Sequence, residues 1–250
     1  MKKRKGDGLI KSHVSLVIVP IDDITNQFIE ENRIKPWIEW EKAAMWKPGF
    51  YLFLNVTQTE FILHLESRYY QGQDISIFLE KGKTQIMKVR MVPSEQHPNK
   101  NAFLEISGTG KKGEIVSVYS METLQSYKLL KEYQPGENLG IYNSDILDLS
   151  GKKIWMRERE KEWFIRLGEQ SEREEREYLV EGILEPVKKS EAVIYLIYET
   201  KVREDGSFYL LFPKGKQEEI LAVLGYRGYE QEIHLKSEKL NQFHLEIQGR

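Results

Sequence analysis

Three tryptophans, Trp37, Trp40 and Trp46, fall within a stretch of ten residues. Flat indole rings stack on the apolar faces of sugars and anchor peptide interfaces, so this cluster is the candidate ligand or partner contact of the chain. The structural alternative is that the same rings plug the open end of a β-sandwich. Trp37 and Trp40 are spaced so that a short helix would align them, and a strand running into a loop fits the same residues.

Little else has the spacing that chemistry requires. His13, His64, His97, His234 and His244 are scattered without ligand spacing. His64 interrupts the alternating run Phe61, Leu63, Leu65, so it is expected on the opposite face, toward solvent, with no positioned partner nearby in sequence. The segment 169–177 is rich in carboxylates, but Arg173 and Arg176 neutralise much of its charge and no histidine lies close, which suits a solvated face better than a metal site. Gly108-Thr109-Gly110-Lys111-Lys112 superficially looks like a phosphate loop. It lacks the second-glycine spacing and the following helix, so a hairpin turn is expected there. Arg157-Glu158-Arg159-Glu160-Lys161, balanced in sign, reads as a hairpin tip. With no nucleophile elbow, no dinucleotide fingerprint and no cysteine in the chain, the expectation is a protein without catalytic, cofactor-binding or metal-binding residues, hence not an enzyme.

The elements that would position the tryptophans are short and extended. In 250 residues, 37 basic and 39 acidic side chains leave a formal charge of -2, so no global field draws the chain to nucleic acid or anionic lipid. Residues 1–11 read as a flexible basic tail, and no apolar run approaches the ~20 residues of a membrane helix, so the expected setting is cytoplasmic. Strands are expected at 14–19, 50–56, 61–65 and 74–77, then at short intervals from 102 to the C-terminus, punctuated by glycine and proline turns. Near the end, Phe243, Leu245 and Ile247 alternate with Gln242, His244 and Glu246 as a half-buried edge strand would. The fold class is therefore all-β, with tandem small antiparallel β-sandwich units, Ig-like or transthyretin-like, and little helix. The expected division is a first sandwich at 12–92, a linker at 93–101, a middle β unit at 102–176 and a last sandwich at 177–250.

The chain also repeats itself. Residues 49–54 match 206–211, residues 61–65 match 220–224, and residues 74–77 match 232–235. In the last third, Val180-Glu181-Gly182, the turn Asp205-Gly206-Ser207-Phe208 and the steps Gly225-Tyr226 and Gly228-Tyr229 resemble the carboxypeptidase regulatory-like, or transthyretin-like, β-sandwich domain. The first third resembles it less: Trp46-Lys47-Pro48-Gly49-Phe50 stands at the Asp-Gly turn, and Tyr69-Tyr70 replaces Gly-Tyr. What the resemblance implies is a non-catalytic module that scaffolds, packs on partners or binds ligands. The leading expectation is a structural or adaptor protein that presents its sandwiches to protein partners, with an accessory part of a phage-tail-like contractile assembly as one such setting. The alternative is a carbohydrate- or peptide-binding module using Trp37, Trp40 and Trp46.

Overall fold

Alternating and β-branched runs fold here into sheet almost throughout, and the protein is all-β. A computed structural model describes residues 12–30, 33–120, 127–142, 148–171, 176–183, 185–215, 217–237 and 240–245. Among them the one helical element is a single 3-10 turn, Lys100–Ala102. The expected tail 1–11, Ile247 and residues 172–175 of the charged run lie outside the described residues. Two compact units form: the first from described residues up to Pro20 with Ile29–Ser67 and Gly72–Val89, the second from Ile21–Phe28, Arg68–Gln71 and the described residues from Arg90 onward.

The first unit has two four-stranded sheets. Its strands are β1 Val14–Asp22, β2 Lys35–Ile38, β3 Glu41–Lys42, β4 Ala44–Lys47, β5 Phe50–Leu54, β6 Glu60–Glu66, β7 Gln73–Phe78 and β8 Gln85–Met91. They run in the orders β4-β5-β1-β8 and β3-β2-β6-β7. β1 lies between β5 and β8 and is buried along nearly its whole length, as its unbroken apolar run requires. β6 instead alternates, with Phe61, Leu63 and Leu65 buried and Ile62 and His64 turned outward. The tryptophan stretch is strand and tight turn, and no helix aligns Trp37 with Trp40.

The second unit contains β9 Phe103–Thr109, β10 Ile115–Ser120, β11 Lys128–Leu129, β12 Leu139–Tyr142, β13 Lys153–Glu158, β14 Lys161–Arg166, β15 Glu177–Tyr178, β16 Ala192–Lys201, β17 Ser207–Pro213, β18 Glu219–Tyr226, β19 Tyr229–Lys236 and β20 Asn241–His244. Its sheets are β17-β9-β20, the six-stranded β14-β13-β16-β10-β18-β19, and the small β11-β12-β15. Leu104, Ile106, Phe208, Leu210 and Phe212 from the first sheet share one core with Val116, Val118, Leu196, Ala222 and Leu224 from the second. Burying each such side chain is worth about 1.5–3 kcal/mol before entropy is counted.

The repeat read from the sequence recurs as topology. The first unit has the sheet orders β5-β1-β8 and β3-β2-β6-β7; the second has β17-β9-β20 and β16-β10-β18-β19. Strands β1, β2, β3, β5, β6, β7 and β8 thus have counterparts β9, β10, β16, β17, β18, β19 and β20, paired in the same order. Between β10 and β16 the second unit carries an insertion, residues 121–191, holding β11 to β15. The units therefore divide differently from the expected segments. Residues 102–176 and 177–250 share their sheets, because β13 pairs with β16 and β10 pairs with both β16 and β18. Val180-Glu181-Gly182 opens no strand. Residues 93–101 are packed into the second unit: Ser94 donates its amide to the Tyr69 carbonyl at 2.9 Å, and His97 is buried.

Turn chemistry agrees with expectation at two hairpins and differs at one loop. Arg159 closes β13–β14 with φ 54°, and Arg227-Gly228, both with positive φ, join Tyr226 to Tyr229 as a two-residue turn. Gly108 to Lys112 make no hairpin, since β9 and β10 lie in different sheets. A Cβ on Gly108 would stand 2.0 Å from the Phe243 carbonyl oxygen and 2.7 Å from the Phe208 ring, so only glycine lets β20 lie against β9.

A buried polar network holds the short segments to the second unit. The Asp22 carboxylate accepts from the amides of Ile24 (2.9 Å) and Thr25 (3.0 Å), from the Tyr70 hydroxyl (2.9 Å) and from His97 Nε2 (3.0 Å). Beside it Lys152, fully buried, donates to the Asp23 carbonyl at 2.9 Å and carboxylate at 3.0 Å and lies 4.0 Å above the Tyr198 ring. Arg90 bridges Asn26, Ser150 and Asp148 at 2.6–2.7 Å. Burial pulls the Lys152 ammonium down to about 8, Asp23 opposing and Arg90 adding to the effect. From there to its ordinary 10.5 the unfolded chain binds more protons, so this group makes stability rise with pH across that window. Burial alone would raise the Asp22 pKa, but the His97 bond, the Thr25 amide, the His97 charge and the Tyr70 bond outweigh it and hold the carboxyl below its ordinary 3.8. Its stabilisation is complete above that value and is lost as pH falls through the folded-state pKa. Asp22→Asn should cost about 1–3 kcal/mol at neutral pH in chemical denaturation. The gap from the parent should narrow below pH ~4; a pH-independent gap would show that the carboxylate charge contributes nothing.

Candidate functional site

The sheet β3-β2-β6-β7 of the first unit turns a row of unlike side chains outward. Pro36 and Ile38 of β2 are buried, so Trp37 between them points away from the core, as His64 does on β6. Register then aligns them: Lys42 of β3 pairs with Trp37, Trp37 with His64, and His64 with Asp74 of β7. One residue from each of the four strands thus forms a line across the outer face.

The line is held by two direct contacts. The Trp37 and His64 rings stack with centroids 3.9 Å apart and planes 18° from parallel. His64 Nδ1 is hydrogen-bonded to Asp74 Oδ1 at 2.7 Å, which sets the imidazole's orientation and hence that of the indole above it. His64 therefore lies on the outer face, as expected, but it is only partly exposed and it has a partner, contrary to expectation. Its partner was invisible because the β6–β7 hairpin, not nearness in sequence, supplies it.

The three sequence-predicted residues separate. Trp37 is half-buried in the row. Trp40 occupies the β2–β3 turn, 44% exposed, with its ring edge-on to Phe61 at 5.9 Å. Trp46 lies on β4, in the other sheet, at an irregularity in the pairing of β4 with β5. Trp37 and Trp40 therefore share a sheet and Trp46 does not join them. His64, Asp74 and Lys42 are the members that sequence reasoning missed; the signal available was the outward phase of His64 on β6.

Chemically the row offers an aromatic face, a fixed imidazole, a carboxylate and an ammonium, a set that pairs C–H stacking with hydrogen bonding to hydroxyls. Among the described residues no group of three or more metal-binding side chains converges, and no helix is long and apolar enough to cross a membrane.

No protein-family model matches the sequence, and no curated protein matches it. Among solved structures the chain is similar to that of a candidate carbohydrate binding protein from Bacteroides uniformis, with 12% identity over 89% of this chain and 98% of the other. The TM-score is 0.26, and a likeness that low carries no argument about fold or function.

Removing the imidazole should free the indole. His64→Ala is expected to destabilise the protein by about 0.5–1.5 kcal/mol, the size of a stacked aromatic pair. It should also shift the Trp37 indole N–H resonance toward a solvent-exposed position in NMR; an unmoved resonance would show that the stack does not hold Trp37.

Proposed function

We propose that this protein is a non-catalytic binding module and that the outer face of β3-β2-β6-β7 takes a carbohydrate. The observation that carries the reading is the Trp37 ring, presented on a sheet face and oriented from behind by the His64–Asp74 pair. A rigid flat ring loses little freedom on binding a sugar, and the polar ends of the row lie where ring hydroxyls would project. On a glycan array the full-length protein should retain a subset of glycans, and Trp37→Ala should lower that signal by about tenfold or more. Retention of the same glycans by the variant would move the site elsewhere; an array with no retained glycan would sink the reading.

A second reading makes the partner a protein, as an adaptor or an accessory component of a larger assembly. It draws on the outer face of the six-stranded sheet, where Phe164, Trp155 and Tyr195 stand side by side on β14, β13 and β16, with Tyr119 of β10 5.1 Å from Trp155. Phe164 is 56% exposed at the end of this ladder. Trp155 and Tyr119 are themselves buried, so the exposed part of the ladder is Phe164 with the half-buried Tyr195, an apolar edge of the sort that contact surfaces use. Phe164→Glu should abolish a stable complex recovered from native cells while leaving the melting temperature within a few degrees of the parent, since exposed substitutions cost about 0.5 kcal/mol. A complex unchanged by the substitution would discard this face.

A further inference from the structure

The second unit carries a groove that neither reading uses, over the outer face of β17-β9-β20, with a volume of about 680 Å³. That lies within the usual range for small-molecule sites and accommodates one or two sugar-sized rings. Its floor follows from strand alternation: Leu104, Ile106, Phe208 and Leu210 point into the core, so Glu105, Ser107, Thr109 and Tyr209 point into the groove. From β20, Gln242 and His244 join them, and Leu240 and Phe243 add apolar edges. One wall is the segment 94–101, which contributes Glu95 and Lys100.

We propose that this groove binds a neutral, polyhydroxylated ligand of one or two rings. Charge decides against an ionic one, because each charged group here is already answered within the unit. Glu105 accepts from the Tyr209 hydroxyl at 2.9 Å and pairs with Lys100 at 3.5 Å, while Glu95 pairs with Arg203 at 2.8 Å. His244 Nδ1 is 2.5 Å from the Thr109 hydroxyl. Burial first, and then the bond to Glu105, push the Tyr209 hydroxyl far up, so it stays a donor to that carboxylate. What is left open is neutral. Among the described residues the Ser107 hydroxyl and the Gln242 amide make no side-chain hydrogen bond, and both line the groove. An amide and a hydroxyl each donate and accept, which is the pattern a vicinal diol satisfies, and the edges of Leu240 and Phe243 suit the C–H face of a ring.

The test uses the full chain with maltose, cellobiose and trehalose as neutral probes and glucosamine and glucuronate as charged ones, followed by amide NMR and titration calorimetry. At least one neutral disaccharide should shift the amides of Ser107, Thr109 and Gln242, and the charged probes should bind about tenfold more weakly or not at all. Gln242→Trp, at an exposed position, should fill the groove and weaken binding about tenfold or more. Should that variant lose its cooperative melt, Ser107→Ala removes the hydroxyl and nothing else and is expected to weaken the same probe. Shifts confined to His64 and Asp74, tighter binding of a charged probe, no shift with any neutral probe, or full affinity in the folded variants would each overturn the proposal.

Discussion

One buried carboxylate ties together parts of the second unit that are far apart in sequence. Desolvating Asp22 costs several kcal/mol unless donors replace its water, and four do so: two amides of the turn that follows it, the Tyr70 hydroxyl and the His97 imidazole. The consequence is mechanical. His97 fixes the middle of the segment 94–101, whose ends are pinned by the Ser94 hydroxyl on the Arg68 carbonyl and by the 3-10 turn. Glu95 and Lys100 stand as the wall of the groove because that segment is anchored, not because it is intrinsically rigid. Gln71 adds a further tie, donating to the Tyr209 carbonyl at 3.0 Å and accepting from the Thr200 hydroxyl at 3.1 Å.

The same network shows where sequence reasoning fails and why. Residues 93–101 have the composition of a linker, with two prolines, two asparagines and only polar residues between them. Composition reports what a segment could do alone, whereas its order here comes from a histidine finding an acid 75 positions away. Local signals fared better. The alternation of β6 and β20 put the right residues inward, and the turns at Arg159 and at Arg227-Gly228 stand where their residue types require. The all-β class follows from such signals summed along the chain. The outer-face row was half legible: Trp37 stood out by type, and His64 by its phase. Asp74 and Lys42 had no local signal, since register across three strand pairings is set by the whole sheet.

The repeat was legible as strands and hidden as a domain. The Asp205-Gly206 turn and the Gly-Tyr steps correctly located β17, β18 and β19, because those residues answer to backbone geometry that must recur wherever the turn does. The two strands that complete this sandwich, β9 and β10, precede the insertion that carries β11 to β15. Any contiguous boundary drawn around the turn motifs therefore severs the sheet. The resemblance to the carboxypeptidase regulatory-like domain was read on the second half of the pattern, and its expected opening strand at Val180 fell inside the insertion.

Laying the copies over each other by topology locates their difference. The line Trp37, His64, Asp74 of the first unit corresponds to Tyr119, Val223, Glu232 of the second, because each set is paired across equivalent strands in equivalent order. An acid stands at one end of both rows and an aromatic ring stands two strands in. In the first copy the residue between them is an imidazole that bonds the acid and stacks on the ring, leaving that ring half-open on the face. In the second it is a valine, and Tyr119 is instead flanked by Trp155, carried by the hairpin β13–β14 of the insertion, and buried. The insertion thus converts an open aromatic position into the root of a wider apolar ladder. Two faces paired alike therefore differ physically: one leaves an aromatic ring half-open beside a hydrogen-bonded imidazole, and the other buries its ring under apolar neighbours.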